Sequence, residues 1–217
     1  MKLLIINTSP RTLRSNSRRL TGLFASYWLT IDSKAPVVYR DLGLAHVPHV
    51  TEQWIAGAFK APELRTAEEV SALAKSDEYI KELREADVIA VGVPMYNYGI
   101  PSSLKAYLDQ VIRINETWVL NRENIKDPYI GQLKDKKLIL ILSRGAQAYE
   151  QGGYNEHLDF QASYLRAAFK MMGIKDVQEV VVDGELNGGE ELAKTFENAQ
   201  NQIRLIVEML GMSCELY

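Results

Sequence analysis

Five short, continuous apolar runs alternate along this chain with segments whose apolar residues recur at helical spacing. The runs lie at residues 2–7, 35–42, 87–93, 137–142 and 177–182. Continuous apolar runs of this length are typical of strands buried on both faces, as in a parallel sheet. Their alternation with helices predicts an α/β fold, a doubly wound sheet of five parallel strands with helices on both faces.

The segments between the runs predict the helices and the domain organisation. Helical spacing covers residues 20–31, 66–83, 101–112, 158–172 and 192–210. Thr66 with Glu69 matches a capping box, whereas residues 43–65 and 115–135 carry no regular pattern and are predicted to be irregular excursions. With 217 residues and no repeat or linker, residues 1–217 are expected to form one domain.

Composition excludes several classes of function. The formal net charge of −3 is too small to predict a partner and argues against broad nucleic-acid binding, which needs clustered Lys and Arg. The single cysteine, Cys214, cannot form an internal disulfide, and we interpret it as a tolerated thiol rather than a nucleophile. His46, His49 and His157 lack the spacing of a metal site. The first apolar run is too short for a secretion signal or a membrane span, so we expect a cytoplasmic protein.

The loop after the first strand predicts an anion site. Residues 8–17 contain no glycine, which excludes the Walker and dinucleotide fingerprints. The loop offers two arginines and a polar set: Ser9, Ser15, Asn16 and Ser17. Ser15 or Ser17 would begin a helix whose amino terminus favours a phosphate monoester. The alternative is that these serines only cap that helix in a solvated loop.

The loops after the third and fourth strands predict a site for a flat ring. The third strand is followed by Met95, Tyr96, Asn97 and Tyr98, which suit packing against a planar heterocycle, or alternatively plug the core. Gly99 is expected to permit a backbone turn. The fourth strand is followed by Ser143, Arg144, Gly145 and Ala146. Backbone N–H groups there would stabilise negative charge; alternatively this is a strand-end turn in which Gly145 supplies an unusual dihedral and Arg144 reaches solvent.

These loops belong together because ligands of doubly wound sheets bind beyond the carboxyl ends of the strands. The third loop and its helix resemble the signature of the FMN-dependent NADH-azoreductases, within the NAD(P)H:quinone oxidoreductase group of the flavodoxin-like superfamily. The matching residues are Pro94 to Tyr98, Pro101, Leu104-Lys105, Asp109, Arg113 and Thr117-Trp118. The resemblance implies a flavodoxin-like sheet in the order 2-1-3-4-5 and a homodimer with one non-covalent FMN in each subunit.

The resemblance also implies roles for the three loops. Ser9 and the run 15–17 would hold the FMN phosphate, and residues 95–98 would pack along the flavin and hydrogen-bond it near N5. Residues 143–146 would face the pyrimidine edge, although the family commonly has two glycines where this chain has Gly145-Ala146. No side chain is expected to be a catalytic acid or nucleophile, because the cofactor supplies the redox chemistry.

The reaction implied is the transfer of two electrons from NADH or NADPH to a quinone or an aromatic azo compound. Both substrates would use one slot in turn, which predicts ping-pong kinetics. Two alternatives remain at this point. One is a flavodoxin-like electron carrier that acts on protein partners, and the other is a flavin-free binding module on the same fold.

Overall fold

The five predicted strands form a single parallel sheet in the computed structural model, which describes residues 1–212. Its strands are β1 (Leu3–Asn7), β2 (Val37–Asp41), β3 (Val88–Pro94), β6 (Lys137–Ser143) and β7 (Asp176–Val182). The spatial order is β2-β1-β3-β6-β7. If only the five strands of this sheet are numbered along the chain, β6 and β7 become the fourth and fifth strands and the order is 2-1-3-4-5. The predicted flavodoxin-like topology is therefore confirmed.

Helices cover both faces of the sheet, as predicted. They are α1 (Asn16–Ile31), α2 (Glu52–Phe59), α3 (Ala67–Glu85), α4 (Ser102–Val111), α5 (Ala162–Met171) and α6 (Gly189–Met212). One apolar layer joins the sheet to α1 and α6. The other joins it to α3, α4 and α5. The predicted capping box is present, with Thr66 and Glu69 bonded to each other's backbone at the start of α3.

Strand register brings the carboxyl ends of β1, β3 and β6 to one edge. Asn7 pairs with Gly92, and Pro94 pairs with Ser143. Every residue of β3 is buried, as expected for a central strand covered on both faces. The loops that follow these strands therefore emerge side by side.

Both segments that were predicted to be irregular contain regular elements. Within 43–65 lies α2, an eight-residue helix capped by Thr51 and held by Trp54, whose indole N–H donates to Gln110 Oε1 at 2.7 Å. Within 115–135 lies a hairpin of two three-residue strands, β4 (Trp118–Leu120) and β5 (Tyr129–Gly131). Both are too short to produce a clear period, and both are stabilised by contacts distant in sequence.

Among residues 1–212, no helix is long and apolar enough to cross a membrane. The same residues contain no cluster of three or more His, Cys, Asp or Glu side chains suited to a metal ion. Cys214 lies outside the described residues, so its predicted role stays a prediction.

Candidate functional site

A cleft of about 270 Å³ lies at the carboxyl edge of the sheet, where the three predicted loops converge. The first loop contributes two arginines and three of the predicted residues, and the other two loops contribute four more. A fourth loop, which follows β7, closes the remaining side. The lining residues are Ser9, Arg11, Arg14, Ser15, Asn16, Pro94, Met95, Tyr96, Ser143, Gly145, Glu185 and Leu186.

The first loop presents hydroxyl groups at the amino terminus of α1. Ser15 is the N-cap of this helix, and its hydroxyl accepts a hydrogen bond from the Arg18 amide. The same hydroxyl lies 3.1 Å from that of Ser17, which is fully buried behind it. No acidic residue lies in the first turn of α1. Free helix amides and nearby hydroxyls form an anion cradle, so capping and anion binding are compatible here.

Arg18 fixes the position of Ser9, a role that its place in the sequence does not indicate. Its guanidinium donates to the Ser9 carbonyl at 2.6 and 3.0 Å and binds both carboxylate oxygens of Asp41. This charge-assisted bond lowers the pKa of Asp41. The backbone of Gly43 lies close against the backbone of Ser9. Glycine is needed at position 43, because a Cβ there would lie 2.1 Å from the Ser9 carbonyl oxygen.

The second loop forms a tight two-residue turn. Tyr96 and Gly99 exchange backbone hydrogen bonds of 3.0 Å in both directions. The residues between them, Asn97 and Tyr98, have φ of 48° and 66°. The expectation that Gly99 supplies the special conformation is therefore wrong. Met95 and Tyr96 line the cleft, whereas Asn97 and Tyr98 are exposed at the tip of the turn.

The third loop places Ser143 and Gly145 on the wall of the cleft. Gly145 is not among the glycines with positive φ, so the predicted unusual dihedral is not found there. Its absent side chain instead leaves room for Leu186, whose Cγ would lie 3.0 Å from a Cβ at this position. Ala146 is half-buried beside the lining residues.

Arg144 neither lines the cleft nor reaches solvent. Its side chain is 4% exposed. Nε donates to Gln161 Oε1 at 3.0 Å, and Nη2 donates to Asp159 at 3.1 Å. Gln161 in turn donates to the Val93 carbonyl at 2.9 Å. Arg144 therefore connects the ends of β3 and β6 to the start of α5 from behind the cleft.

The fourth loop was missed by sequence reasoning. Glu185 pairs with Arg11 of the first loop at 2.9 Å. Leu186 donates its amide to the Gly145 carbonyl at 3.0 Å. The available signal was an acidic, glycine-rich run, 183–189, directly after the last strand and hence at the same edge of the sheet.

Comparisons with known proteins agree with this architecture. Residues 1–206 match the model of a family described as having a flavodoxin-like fold. The chain is 44% identical over 209 residues to FMN-dependent NADH:quinone oxidoreductase 1 of Trichormus variabilis, covering 96% of both chains. It is 33% identical to FMN-dependent NAD(P)H:quinone oxidoreductase 1 of Pseudomonas aeruginosa, covering 93% of this chain and 96% of the relative.

Among solved structures, an azoreductase from Bacillus anthracis superposes with a TM-score of 0.85 at 25% identity, covering 95% of this chain and 98% of the azoreductase. The sheet order, the cleft and these relatives agree with the resemblance carried by residues 94–118. The chain therefore belongs to the family of FMN-dependent NADH:quinone oxidoreductases and azoreductases, within the proteins of flavodoxin-like fold.

Proposed function

We propose that this chain binds FMN in the cleft and uses it to transfer two electrons from NADH or NADPH to quinones or aromatic azo compounds. The observation that carries this proposal is that an anion cradle and an apolar wall occupy the same cleft. The cradle is built by the first loop, and the wall by Pro94, Met95 and Leu186. FMN has the matching two ends, a phosphate and a planar ring.

The residues that form the cleft fit FMN in charge as well as in polarity. Arg14 adds positive charge to the cradle, and the α1 dipole acts in the same direction. Ser143 and Gly145 both line the cleft, and Leu186 occupies the space that a side chain at Gly145 would take. The carboxylate of Glu185 is neutralised by Arg11.

Each predicted residue has a role in this proposal. The phosphate is held by Ser9, Ser15, Asn16 and Ser17, the last through its bond to Ser15. The ring is packed by residues 95–98. Its pyrimidine edge is faced by residues 143–146, with Arg144 contributing through its backbone. When bound, FMN accepts hydride and returns electrons to the acceptor; the protein orients it and excludes water.

An electron carrier for protein partners is the rival function. A shallow, mostly apolar surface next to the second loop is compatible with small aromatic substrates. Its lining residues are Gly99, Ile100, Lys105, Phe160, Ser163 and Tyr164. Flat aromatic molecules suit such a surface. A single slot used by both substrates in turn would give ping-pong kinetics.

The proposal also includes a homodimer in the cytosol, with residues 1–217 acting as one domain. Support for a second copy of the chain comes from exposed apolar side chains on α2. Ile55 and Phe59 are 50% and 68% exposed. Patches of this kind mark protein interfaces.

The test is the absorbance spectrum of the purified protein before and after NADH is added without oxygen. We expect a yellow protein that NADH bleaches and that a quinone re-oxidises, with parallel double-reciprocal plots. A protein that takes up no FMN, or whose bound FMN is not reduced by NADH or NADPH, would refute the proposal. Reduction of a protein partner only would favour the carrier.

A further inference from the structure

Asp183 directly follows β7, and its carboxyl group is largely enclosed. The side chain is 16% exposed. Its Oδ1 is buried and has no hydrogen-bond partner among residues 1–212. Its backbone carbonyl accepts a bond of 2.9 Å from Thr195 Oγ1, which fixes the residue to α6. A buried carboxylate oxygen without a donor is costly in the ionised form, and protonation removes much of that cost.

The charges around Asp183 do not balance. The nearest cation is Arg144, with Nε 4.0 Å from Oδ1, and that guanidinium already binds Asp159. Glu150 adds further negative charge, and the Tyr149 ring lies 5.2 Å from the guanidinium. Burial is the largest influence and raises the pKa of Asp183 to about 6; Arg144 opposes it, and the two carboxylates add to it.

The loop contacts place Asp183 directly behind the wall of the cleft. The amide of Glu185 donates to the Arg144 carbonyl at 3.3 Å, and that of Leu186 donates to Gly145. Ser143, Gly145, Glu185 and Leu186 line the cleft, whereas Arg144 and Asp183 do not, and the side chains of these two residues are largely buried. Negative charge that arrives in the cleft is therefore felt at Asp183 through low-dielectric protein.

We propose that Asp183 is the proton store of the reaction: Oδ1 takes up a proton when negative charge enters the cleft and releases it when the charge leaves. The inference rests on the proposed function. Reduction of a quinone by NADH consumes one proton besides the hydride. The hydride brings two electrons and one proton into the cleft, and the second proton comes from solvent to Asp183. When the quinone takes the hydride, Oδ1 releases its proton to solvent and the quinone oxygen gains one proton from solvent, so NADH, one proton and the quinone give NAD⁺ and the hydroquinone.

The proposal predicts a particular pH profile for the midpoint potential of the bound FMN. Proton uptake at Asp183 adds about 30 mV per pH unit to the slope of a two-electron potential. The pKa of about 6 belongs to the cofactor-free chain. Because the FMN phosphate already places negative charge in the cleft, the added slope begins at or above about pH 6. Replacement by asparagine mimics the protonated group. D183N should therefore match the wild type at about pH 5, lack the added slope, and have the higher potential above about pH 7.

The experiment is a spectroelectrochemical titration of the FMN-loaded protein at several pH values. D183S is a second neutral variant in case D183N folds poorly, and D183E should restore the added slope. E179Q is the matched control, because Glu179 lies on the same strand but pairs with Arg166; its profile should follow the wild type. Parallel profiles for wild type and D183N would overturn the inference while leaving the proposed function intact. A wild type that binds no FMN would instead refute the proposed function.

Discussion

Tyr98 adopts a backbone conformation that its side chain disfavours. Its φ of 66° lies in the left-handed region, which costs a non-glycine residue about 1–2 kcal/mol. The paired hydrogen bonds between Tyr96 and Gly99 hold the turn in place. Strain of this kind concentrates at functional sites, where the surrounding structure enforces it.

Substitution at Tyr98 should reveal this strain. Glycine adopts the conformation without cost, whereas a β-branched residue does so least well. We expect Y98V to unfold at lower urea than Y98G, with a difference of about 1–2 kcal/mol in the free energy of unfolding. The pair removes the same ring, so lost packing affects both. Equal stability of the two variants would show that the turn relaxes when the ring is lost.

Asp183 should also make the stability of the cofactor-free protein depend on pH. Its pKa is raised from 3.8 to about 6 in the folded protein. Its stabilising contribution is therefore complete below pH 3.8 and lost as the pH rises through about 6. We expect the free energy of unfolding of D183N to match that of the wild type near pH 4 and to exceed it by about 2–3 kcal/mol at pH 7.5 in urea unfolding. A less stable D183N at pH 7.5 would contradict the raised pKa.

The segment 113–117, directly after α4, shows why the residues that match the family signature extend beyond the cleft. Arg113 is almost fully buried, donates to Ser76 Oγ at 2.8 Å and pairs with Asp77 of α3. Thr117 donates its hydroxyl to the Val111 carbonyl at 2.6 Å and accepts from the Arg113 amide at 3.1 Å. These residues join α4 to α3 and to the hairpin, so their part of the signature is structural.

If Thr117 stabilises the fold without contacting the cofactor, a substitution there should lower stability and leave cofactor binding unchanged. T117V keeps the shape of the side chain but removes the hydroxyl that bonds the Val111 carbonyl and the Arg113 amide, which stay bonded to each other at 2.9 Å. We expect a loss of about 0.5–1.5 kcal/mol in the free energy of unfolding. The dissociation constant for FMN, measured by fluorescence titration of the folded protein, should not change. T30V is the control, since the Thr30 hydroxyl is exposed and bonds only within α1; weaker FMN binding by T117V would assign it to the site.

Features carried by residues that are close in sequence were predictable, whereas features made by residues far apart in the chain were not. The five strands and their helices were predictable because each long element carries its own apolar period. The first loop was predictable because residues 8–17 hold their polar groups close together in sequence. The hairpin and α2 were not, because contacts such as Trp54 with Gln110 join residues far apart in the chain. Glu185 and the orientation of Arg144 likewise follow from which loops meet in space.

At the scale of the whole molecule, the apolar surface of α2 needs an explanation. One face of this helix packs through Trp54 and Ala58 onto the body of the protein. Ile55 and Phe59, one turn apart, lie on the other face and are half or more exposed. The bond from Trp54 to Gln110 fixes α2 to the last turn of α4. The exposed face of α2 is therefore the surface on which we place the proposed second copy.

Charge placed on this face should separate the proposed dimer. F59E puts a carboxylate where the interface would exclude water, and burying an unpaired charge costs several kcal/mol. We expect sedimentation velocity to give a dimer for the wild type and a monomer for F59E, with unchanged far-UV circular dichroism because Phe59 is 68% exposed in the single chain. L205E is the matched control, since Leu205 is 54% exposed on α6, a different helix. If L205E is monomeric and F59E is dimeric, the interface between the two copies lies on α6 and not on α2.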